Sequence, residues 1–372
     1  MILLEVGFVV LGLALLVAGG EGLVRGASSV AVRLGMSPLV VGLTIVSVAT
    51  SSPELAVAVG AVLGGQPELA VGNVVGSNIA NILLILGISA LVLPLVARRR
   101  LVRIDVPVMV ALSVLLLVLA LDGDISGWDG ALLLAVFVAH MVWAVRTGRG
   151  GSGAGPSENG EDDGDADSKP ATMGRSALLI VVGVGLLVLG SQLLVRGASA
   201  IASAFGLSDL VIGLTVVAVG TSLPELAASI IAVRKGQRDL AVGNVVGSNI
   251  ANIGLVLGLP SILSAGGIPV ADAAIALDIP LMVAVSLALL PIAFTGFVIQ
   301  RWEGAIFLAL YLSYMTYLVL WAGDHAALRG FTAVMTGFVL PLIVLTLALS
   351  VAYEIGLRRG RKSLEGAPSD DG

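Results

Sequence analysis

The sequence predicts an all-α polytopic membrane protein, with ten core transmembrane helices arranged as two inverted five-helix repeats and an eleventh, C-terminal helix. Three observations support this prediction. Hydrophobic residues make up 57% of the 372 residues and charged residues only 12%, which is about half the charged share of a soluble domain. Long apolar runs recur along the whole chain. One stretch of the first half reappears almost unchanged in the second half.

Eleven apolar runs are each long enough to cross the roughly 30 Å hydrocarbon core of a bilayer. They lie at 2–33, 38–63, 69–97, 104–121, 128–146, 175–204, 209–233, 240–263, 273–297, 303–322 and 331–356, and we number them helices 1 to 11. The first run lacks a preceding basic segment, so it is interpreted as a membrane helix rather than a signal peptide. The lipid bilayer is therefore the expected environment of the chain.

Basic residues gather in the loops that follow the odd-numbered helices. They are Arg98, Arg99, Arg100, Arg103, Arg146, Arg149, Arg234, Lys235, Arg238, Arg301, Arg358, Arg359, Arg361 and Lys362. Loops rich in Lys and Arg stay on the cytoplasmic side of a membrane. The pattern predicts an N-terminus on the outside of the membrane, and a C-terminus and a segment 148–172 on the inside.

The internal repeat is the strongest signal in the sequence. The string LAVGNVVGSNIANI occurs at 69–82 and again at 240–253, and GLTIVSVATSSPEL at 42–55 matches GLTVVAVGTSLPEL at 213–226. Each copy holds five helices, an odd number, so the second copy must be inverted relative to the first. In transporters with inverted repeats, one class of membrane protein built in this way, the binding site lies near the bilayer midplane, where the repeats meet.

The repeat divides the chain into four parts. We expect the first repeat at 1–147, a flexible acidic cytoplasmic linker at 148–172, the second repeat at 173–322, and the extra helix with a cytoplasmic tail at 323–372. The linker is rich in Gly, Ser and acidic residues, a composition typical of a flexible tether. Its acidic residues lack the spacing of an EF-hand.

Candidate ligands recur on one face of helix 2 and on the matching face of helix 7, at spacings of three and four residues. They are Ser47, Thr50, Ser51 and Glu54 in the first copy, and Ala218, Thr221, Ser222 and Glu225 in the second. Pro53 and Pro224 precede the two glutamates and deprive a backbone carbonyl of its usual helical partner. A broken helix at membrane depth survives where the freed groups line a cavity or find a partner.

Helices 3 and 8 add a polar stripe at spacings of four residues. Its members are Asn73, Ser77 and Asn81, and in the second copy Asn244, Ser248 and Asn252. Together with the hydroxyls, carbonyls and carboxylates above, they form an all-oxygen set that suits hard cations such as Ca²⁺ or Na⁺. Cysteine is absent and only two histidines occur, so thiolate and imidazole metal sites are excluded.

The two glutamates need compensation in the apolar core, because a charged side chain at the bilayer centre costs at least about 2.5 kcal/mol. Glu54 and Glu225 have no obvious basic partner in their helices, and their combined charge would balance one Ca²⁺. Two structural alternatives remain. Membrane hydroxyls often bond only their own i−4 carbonyl, and the glutamates could bond asparagines across the bundle.

The duplicated motifs resemble the two alpha-repeats of the cation/Ca²⁺ exchanger superfamily, and in particular prokaryotic sodium/calcium exchangers. ATSSPE at 49–54 and GTSLPE at 220–225 carry this resemblance, each with a following GNVVGSNIAN. It implies that Glu54 and Glu225 are carboxylates shared by Ca²⁺ and Na⁺. It also implies the remaining ligands: oxygens of Thr50, Ser51, Thr221 and Ser222, the Na⁺-flanking Ser77 and Ser248, and the backbone carbonyls of Ser47 and Ala218.

One departure from the family concerns Asn81 and Asn252, because many relatives carry an aspartate at one of these positions. In the family, K⁺ co-transport is tied to that aspartate, so the asparagine pair argues against it.

The resemblance implies a secondary antiporter of a prokaryotic inner (cytoplasmic) membrane that exchanges Ca²⁺ for Na⁺ by alternating access, through sliding of helices 1 and 6. It is not expected to be an enzyme, to hold a cofactor, or to bind nucleic acid, since no basic stripe with interleaved aromatics occurs. The alternatives are a H⁺-coupled or K⁺-dependent divalent-cation antiporter and a non-transporting membrane ion sensor or scaffold. The sequence makes no prediction of oligomeric state.

Overall fold

Eleven membrane-length helical segments, two of them broken, make up the computed structural model, which describes residues 2–148, 172–206, 209–294 and 296–365. The continuous helices are α1 (Ile2–Leu34), α3 (Glu68–Val92), α4 (Leu101–Asp122), α5 (Gly127–Gly148), α6 (Met173–Ala204), α8 (Arg238–Leu263), α9 (Ala274–Phe294), α10 (Arg301–Ala322) and α11 (Ala327–Tyr353). The broken helices are α2 (Pro38–Thr50 and Ser52–Leu63) and α7 (Thr215–Thr221 and Leu223–Arg234). The predicted all-α polytopic fold is confirmed.

Most helix boundaries agree with the sequence prediction to within a few residues. Helical turns from Asp209 precede the first half of α7, and helical turns continue after α11 to Glu365, past the predicted residue 356. The third apolar run was expected to continue to residue 97, but α3 ends at Val92. Leu95 and Val96 instead form a short strand, because Pro94 cannot continue a helical hydrogen-bond ladder. The predicted linker at 148–172 lies almost entirely outside the described residues.

The breaks in α2 and α7 fall where the prolines predicted them. The two halves of α2 meet at an angle of 40°, and those of α7 at 60°. Pro53 and Pro224 lie in the first turn of the second halves, a position where proline is well tolerated because its missing N–H has no helical partner. Each glutamate of the repeated motif follows its proline directly and therefore sits at the start of a helix.

Corresponding helices α1 and α6 pack antiparallel along a seam of close backbone contacts. A Cβ atom at Gly12 would lie 2.7 Å from the carbonyl oxygen of Gly190, and one at Gly19 would lie 2.7 Å from that of Gly183. The contact positions rise along α1 as they fall along α6, at steps of seven residues. Glycine permits this approach, which drives helix association in lipid. Antiparallel packing of equivalent helices supports the inverted-repeat interpretation.

Two short antiparallel strand pairs join the halves of the chain at opposite ends of α4. β1 (Leu95–Val96), just before α4, pairs with β4 (Val298–Ile299). β2 (Asp124–Ile125), just after α4, pairs with β3 (Ile268–Pro269). Each pair takes one strand from each half, so the halves are joined near both membrane surfaces.

The helices that carry the repeated motifs form the centre of the bundle. The most apolar window of α8 is 94% buried within the protein and that of α3 is 83% buried, whereas none of the corresponding window of α11 is buried. The broken helix α2 packs against α8 along its first half. The duplicated polar residues are thus shielded from lipid, and α11 lies at the periphery.

Candidate ion-binding site

The two glutamates of the repeated motif lie close together at the protein centre. Glu54 and Glu225 are each only 1% exposed, and their carboxylates interact electrostatically. Each occupies the first turn of a helix half, where the helix dipole favours negative charge. In the described part of the chain, neither forms an ion pair with an arginine, lysine or histidine.

Hydroxyl groups from the first half of the chain reach the acidic residue of the second half. The side chains of Thr50 and Ser51 lie beside the Glu225 carboxylate, although neither forms a hydrogen bond to it, since both carboxylate oxygens lack a partner. Thr50 Oγ1 also lies 3.4 Å from Ser248 Oγ and donates to Asn244 Oδ1 at 3.2 Å. The structure therefore brings α2, α7 and α8 to one place, as the repeat predicted.

Four asparagines connect α3 and α8 through reciprocal side-chain hydrogen bonds. Asn81 Nδ2 donates to Asn249 Oδ1 at 2.9 Å, and Asn252 Nδ2 donates to Asn78 Oδ1 at 3.0 Å. These bonds use the amide nitrogens of Asn81 and Asn252. Their carbonyl oxygens are left buried without a hydrogen-bond partner, so both amides present an oxygen for another use.

Two methionine sulfurs contact Asn78 and Asn249, the asparagines that accept these hydrogen bonds. Asn78 Nδ2 lies 3.5 Å from Met282 Sδ, and Asn249 Nδ2 lies 3.4 Å from Met109 Sδ. Each repeat thus supplies the methionine that contacts the asparagine of the other repeat. Sequence reasoning missed both methionines, because a methionine in an apolar helix carries no signal of a polar contact.

Unpartnered buried oxygens concentrate on the predicted site residues. Among the described residues, sixteen buried side-chain polar atoms lack a hydrogen-bond partner, and eight of them belong to six predicted ligands. They are Ser51 Oγ, Ser222 Oγ, Asn81 Oδ1, Asn252 Oδ1 and both carboxylate oxygens of Glu54 and Glu225. Buried polar atoms are normally paired. An all-oxygen set of this kind is the donor chemistry that a hard cation satisfies.

The remaining predicted ligands have protein partners or different exposure. The Ser47 carbonyl accepts from the Ser51 N–H at 2.9 Å and from the Thr50 hydroxyl at 3.3 Å. The Ala218 carbonyl accepts from the Thr221 hydroxyl at 3.4 Å. Ser77 is 3% exposed and shares the buried interface of α3. A carbonyl oxygen has two lone pairs, so the Ala218 carbonyl, with one hydrogen bond, leaves capacity for an ion. The Ser47 carbonyl does so when the single hydrogen of the Thr50 hydroxyl is donated to Asn244 instead.

The two copies of the motif differ sharply in exposure. Ser47 and Thr50 are fully buried, whereas Ala218 is exposed and Thr221 is half-buried. A cavity of about 310 Å³ lies on this open side, lined by the second half of α2, by α6 and by the first half of α7. Its lining includes Pro53, Gly220 and Thr221. The cavity thus borders the second copy of the motif on the side on which α2 ends, whereas Ser47 and Thr50 of the first copy are enclosed by protein.

No alternative metal centre competes with this site in the regions that the structure describes, where no group of three His, Cys, Asp or Glu residues is placed to hold an ion.

Residues 4–146 and 175–320 match the family described as sodium/calcium exchanger protein. The chain belongs to the sodium/calcium exchanger family.

Relatives of this exchanger span most of its length. The putative antiporter CaxA of Alkalimonas amylolytica is 42% identical over 311 residues, which cover 82% of this chain and 96% of CaxA. The sodium/calcium exchanger MaX1 of Methanosarcina acetivorans is 32% identical, with 85% of this chain and 99% of MaX1 covered. The solved sodium-calcium exchanger NCX_Mj is 34% identical with a TM-score of 0.71, covering 86% of this chain and 100% of that chain.

These similarities define the class of this exchanger. It is a multi-pass membrane antiporter of the cation/Ca²⁺ exchanger superfamily, and the prediction of a transporter rather than an enzyme is confirmed. Family membership implies Ca²⁺ and Na⁺ as the transported ions.

Proposed function

We propose that this exchanger couples Ca²⁺ movement in one direction to Na⁺ movement in the other, across a prokaryotic cytoplasmic membrane. The observation that carries the proposal is the cluster of eight buried, unpartnered oxygens on six duplicated residues. Ca²⁺ takes six to eight oxygen ligands in flexible geometry. A protein-lined site at the bilayer centre with this donor set suits Ca²⁺ and, by the same hard-oxygen chemistry, Na⁺.

Charge balance argues that Ca²⁺ and Na⁺ compete for the same carboxylates. Glu54 and Glu225 together carry two formal negative charges, which one Ca²⁺ neutralises. They are too deeply buried to be compensated by water, and two close carboxylates repel each other in a low-dielectric interior. Either one divalent ion or more than one monovalent ion stabilises the pair, so binding of one kind of ion displaces the other. This competition is the thermodynamic basis of exchange.

The hydroxyl and carbonyl groups around the glutamates extend the proposed site along the repeats. Thr50, Ser51, Thr221 and Ser222 would supply oxygens near the carboxylates, with Ser77 and Ser248 beside the outer Na⁺ positions. The carbonyls of Ser47 and Ala218 would complete the set. Three features support this assignment: the duplicated motifs, the burial of these residues other than Thr221 and Ala218, and the similarity to proteins named as sodium/calcium exchangers.

The different exposure of the two copies supports a mechanism of alternating access. The cavity beside Thr221 opens toward the side on which α2 ends, which the basic-loop pattern makes the outside. In the opposite state, the equivalent cavity would open beside Thr50, which is 1% exposed here. The α1–α6 pair flanks both positions, and we infer that its displacement exchanges the open and closed copies.

A flux assay tests the coupling ion. Purified protein in liposomes should take up Ca²⁺ when Na⁺ is trapped inside and diluted outside. Glu54→Gln and Glu225→Gln should each abolish this uptake, because one charge cannot balance Ca²⁺. Glu68→Gln, which changes an exposed glutamate at the start of α3, is the matched control and should transport normally.

The same vesicles separate the other functions. Uptake driven by a pH gradient and indifferent to Na⁺ would replace Na⁺ by H⁺ as the coupling ion. A requirement for K⁺ would contradict the inference drawn from Asn81 and Asn252. Stabilisation by Ca²⁺ without any flux would indicate an ion sensor or scaffold. Uptake that survives both glutamine substitutions would overturn the site itself.

A further inference from the structure

A second cleft, remote from the ion site, lies between the core and the peripheral helix α11. Its volume is about 280 Å³, and it is bordered by the beginning of α4, the end of α9 and the C-terminal part of α11. Every lining residue except Arg103 is apolar, including Val102, Leu290, Phe294 and Val351. The cleft is therefore an apolar recess with one positively charged residue, Arg103, in its lining.

Backbone irregularities at the end of α9 give the cleft its shape. Pro291 lies inside the last turns of α9, where proline removes a hydrogen bond and bends a helix. Phe297 has a left-handed backbone with φ of 56°, which is unusual for a bulky residue. Its carbonyl accepts the N–H of Ala97 at 2.8 Å, beside the β1–β4 pair. The cleft wall is thus held by hydrogen bonds of the core.

Arg103 is available for a ligand. Its side chain is exposed, and it forms no hydrogen bond or ion pair with any residue that the structure describes. Nearby Arg98 and Arg100, by contrast, are engaged with Asp239 and Asp105. The equivalent position of the second repeat is Ala276, so the charge occurs only at the membrane surface that carries the basic loops.

We propose that this cleft binds one anionic phospholipid, with an acyl chain against Leu290, Phe294 and Val351 and the phosphate on Arg103. The position of Arg103 in the first turn of a membrane helix places its guanidinium at the depth of lipid phosphates. Arginine pairs with phosphate through charge-assisted, often bidentate hydrogen bonds. The lipid would fill the space between α11 and α9 and so attach α11 to the core.

Lipid-dependent stability of the purified full chain tests the proposal. Phosphatidylglycerol should raise the midpoint of thermal unfolding more than phosphatidylcholine does, and native mass spectrometry should detect a retained phosphatidylglycerol molecule. Arg103→Gln should weaken phosphatidylglycerol binding about fivefold, the effect expected for one basic residue at an anionic lipid surface. Arg99→Gln removes an exposed arginine of the same loop that does not line the cleft, and it should bind as the unmodified chain does.

A second pair of variants tests the apolar part. Val351→Trp fills the cleft and should displace the lipid, whereas Val344→Trp, at a 66% exposed position of the same helix, should not. Equal losses from Arg103→Gln and Arg99→Gln would reduce the effect to general surface charge and overturn the site. Stabilisation by soluble glycerol phosphate alone would overturn the lipid assignment, because that probe has no acyl chain.

Discussion

The asparagines of α3 and α8 show how hydrogen bonds set the orientation of a side-chain amide. Asn81 and Asn252 are candidate ligands, but their orientation is set by Asn249 and Asn78, which accept their N–H groups. An amide that were free to flip would present a donor to the site in half of its orientations and repel a cation. We therefore infer that Asn78 and Asn249 are positioning residues for the proposed ion site.

Asn249→Leu tests this role at a position that we do not assign as a ligand. It leaves Asn81 Nδ2 without its acceptor, which we expect to cost about 1–3 kcal/mol of stability and to weaken Ca²⁺ binding about tenfold. Calorimetric titration with Ca²⁺ and thermal unfolding measure the two effects. Ser113→Ala is the control, because that buried hydroxyl donates to its own helix at Met109. Unchanged Ca²⁺ affinity in Asn249→Leu would contradict the positioning role.

Sequence spacing identified the candidate residues but not the direction of their polar atoms. Ser47, Thr50, Ser51 and Glu54 could be grouped because a helix places positions three and four apart on one face. The partners of Asn81 and Asn252 lie on the other repeat, about 170 positions away in the chain. Within-helix spacing carries no information about such contacts, so the amide orientation required the structure.

At the scale of helices, the α1–α6 seam depends on small residues at seven-residue steps. Gly183 faces the backbone of Leu23 and Gly19, where an added Cβ would lie 2.6 to 2.8 Å from backbone atoms. Gly185, two positions along α6, has open space around it. The two glycines therefore form a matched pair within one helix.

Gly183→Val should separate α1 from α6 and lower stability by about 1–3 kcal/mol, the usual cost of overpacking. Gly185→Val should change stability by a few tenths of that amount, since its side chain would meet no neighbour. Thermal unfolding in one detergent, followed by intrinsic fluorescence, makes the comparison. Similar losses in the two variants would mean that the seam is not closely packed in the membrane protein.

The length of the apolar runs predicted the helices well, whereas the π-helical turns within the helices were harder to predict. The eleven runs correspond to α1–α11 because crossing a bilayer demands a minimum hydrophobic length. The π-helical turns at Asn81–Leu86 and Asn252–Leu257 were not predicted, since no residue type in these turns forbids an ordinary helix. Such turns often mark functional sites, and both of these begin at a candidate ligand.

At the scale of the whole molecule, two nearly identical motifs adopt different environments. Val46 is fully buried, whereas its counterpart Val217 is 43% exposed. The sequence could not predict which copy is open, because the copies have almost the same residues and the choice belongs to the conformation. The difference in exposure is thus a feature of this conformation, which under the proposed alternating access would be one of two states.

The absence of cysteine from the chain allows this asymmetry to be measured directly. Val217→Cys should react with a membrane-impermeant thiol reagent added from one side, at least tenfold faster than Val46→Cys. Mass spectrometry of the labelled protein in sealed vesicles gives both rates and the sidedness. Equal labelling of the two positions would contradict the closed arrangement around Val46.

The strand pairs β1–β4 and β2–β3 restrict how such a transporter can move. They join one repeat to the other near both bilayer surfaces, and the asparagine network joins the two repeats between these surfaces. These contacts oppose a motion in which the two repeats separate as rigid bodies. The two repeats are therefore connected at three levels, near each bilayer surface and between them. For the proposed alternating access we therefore expect a local displacement along a fixed frame, which would keep Glu54 and Glu225 still while their surroundings shift.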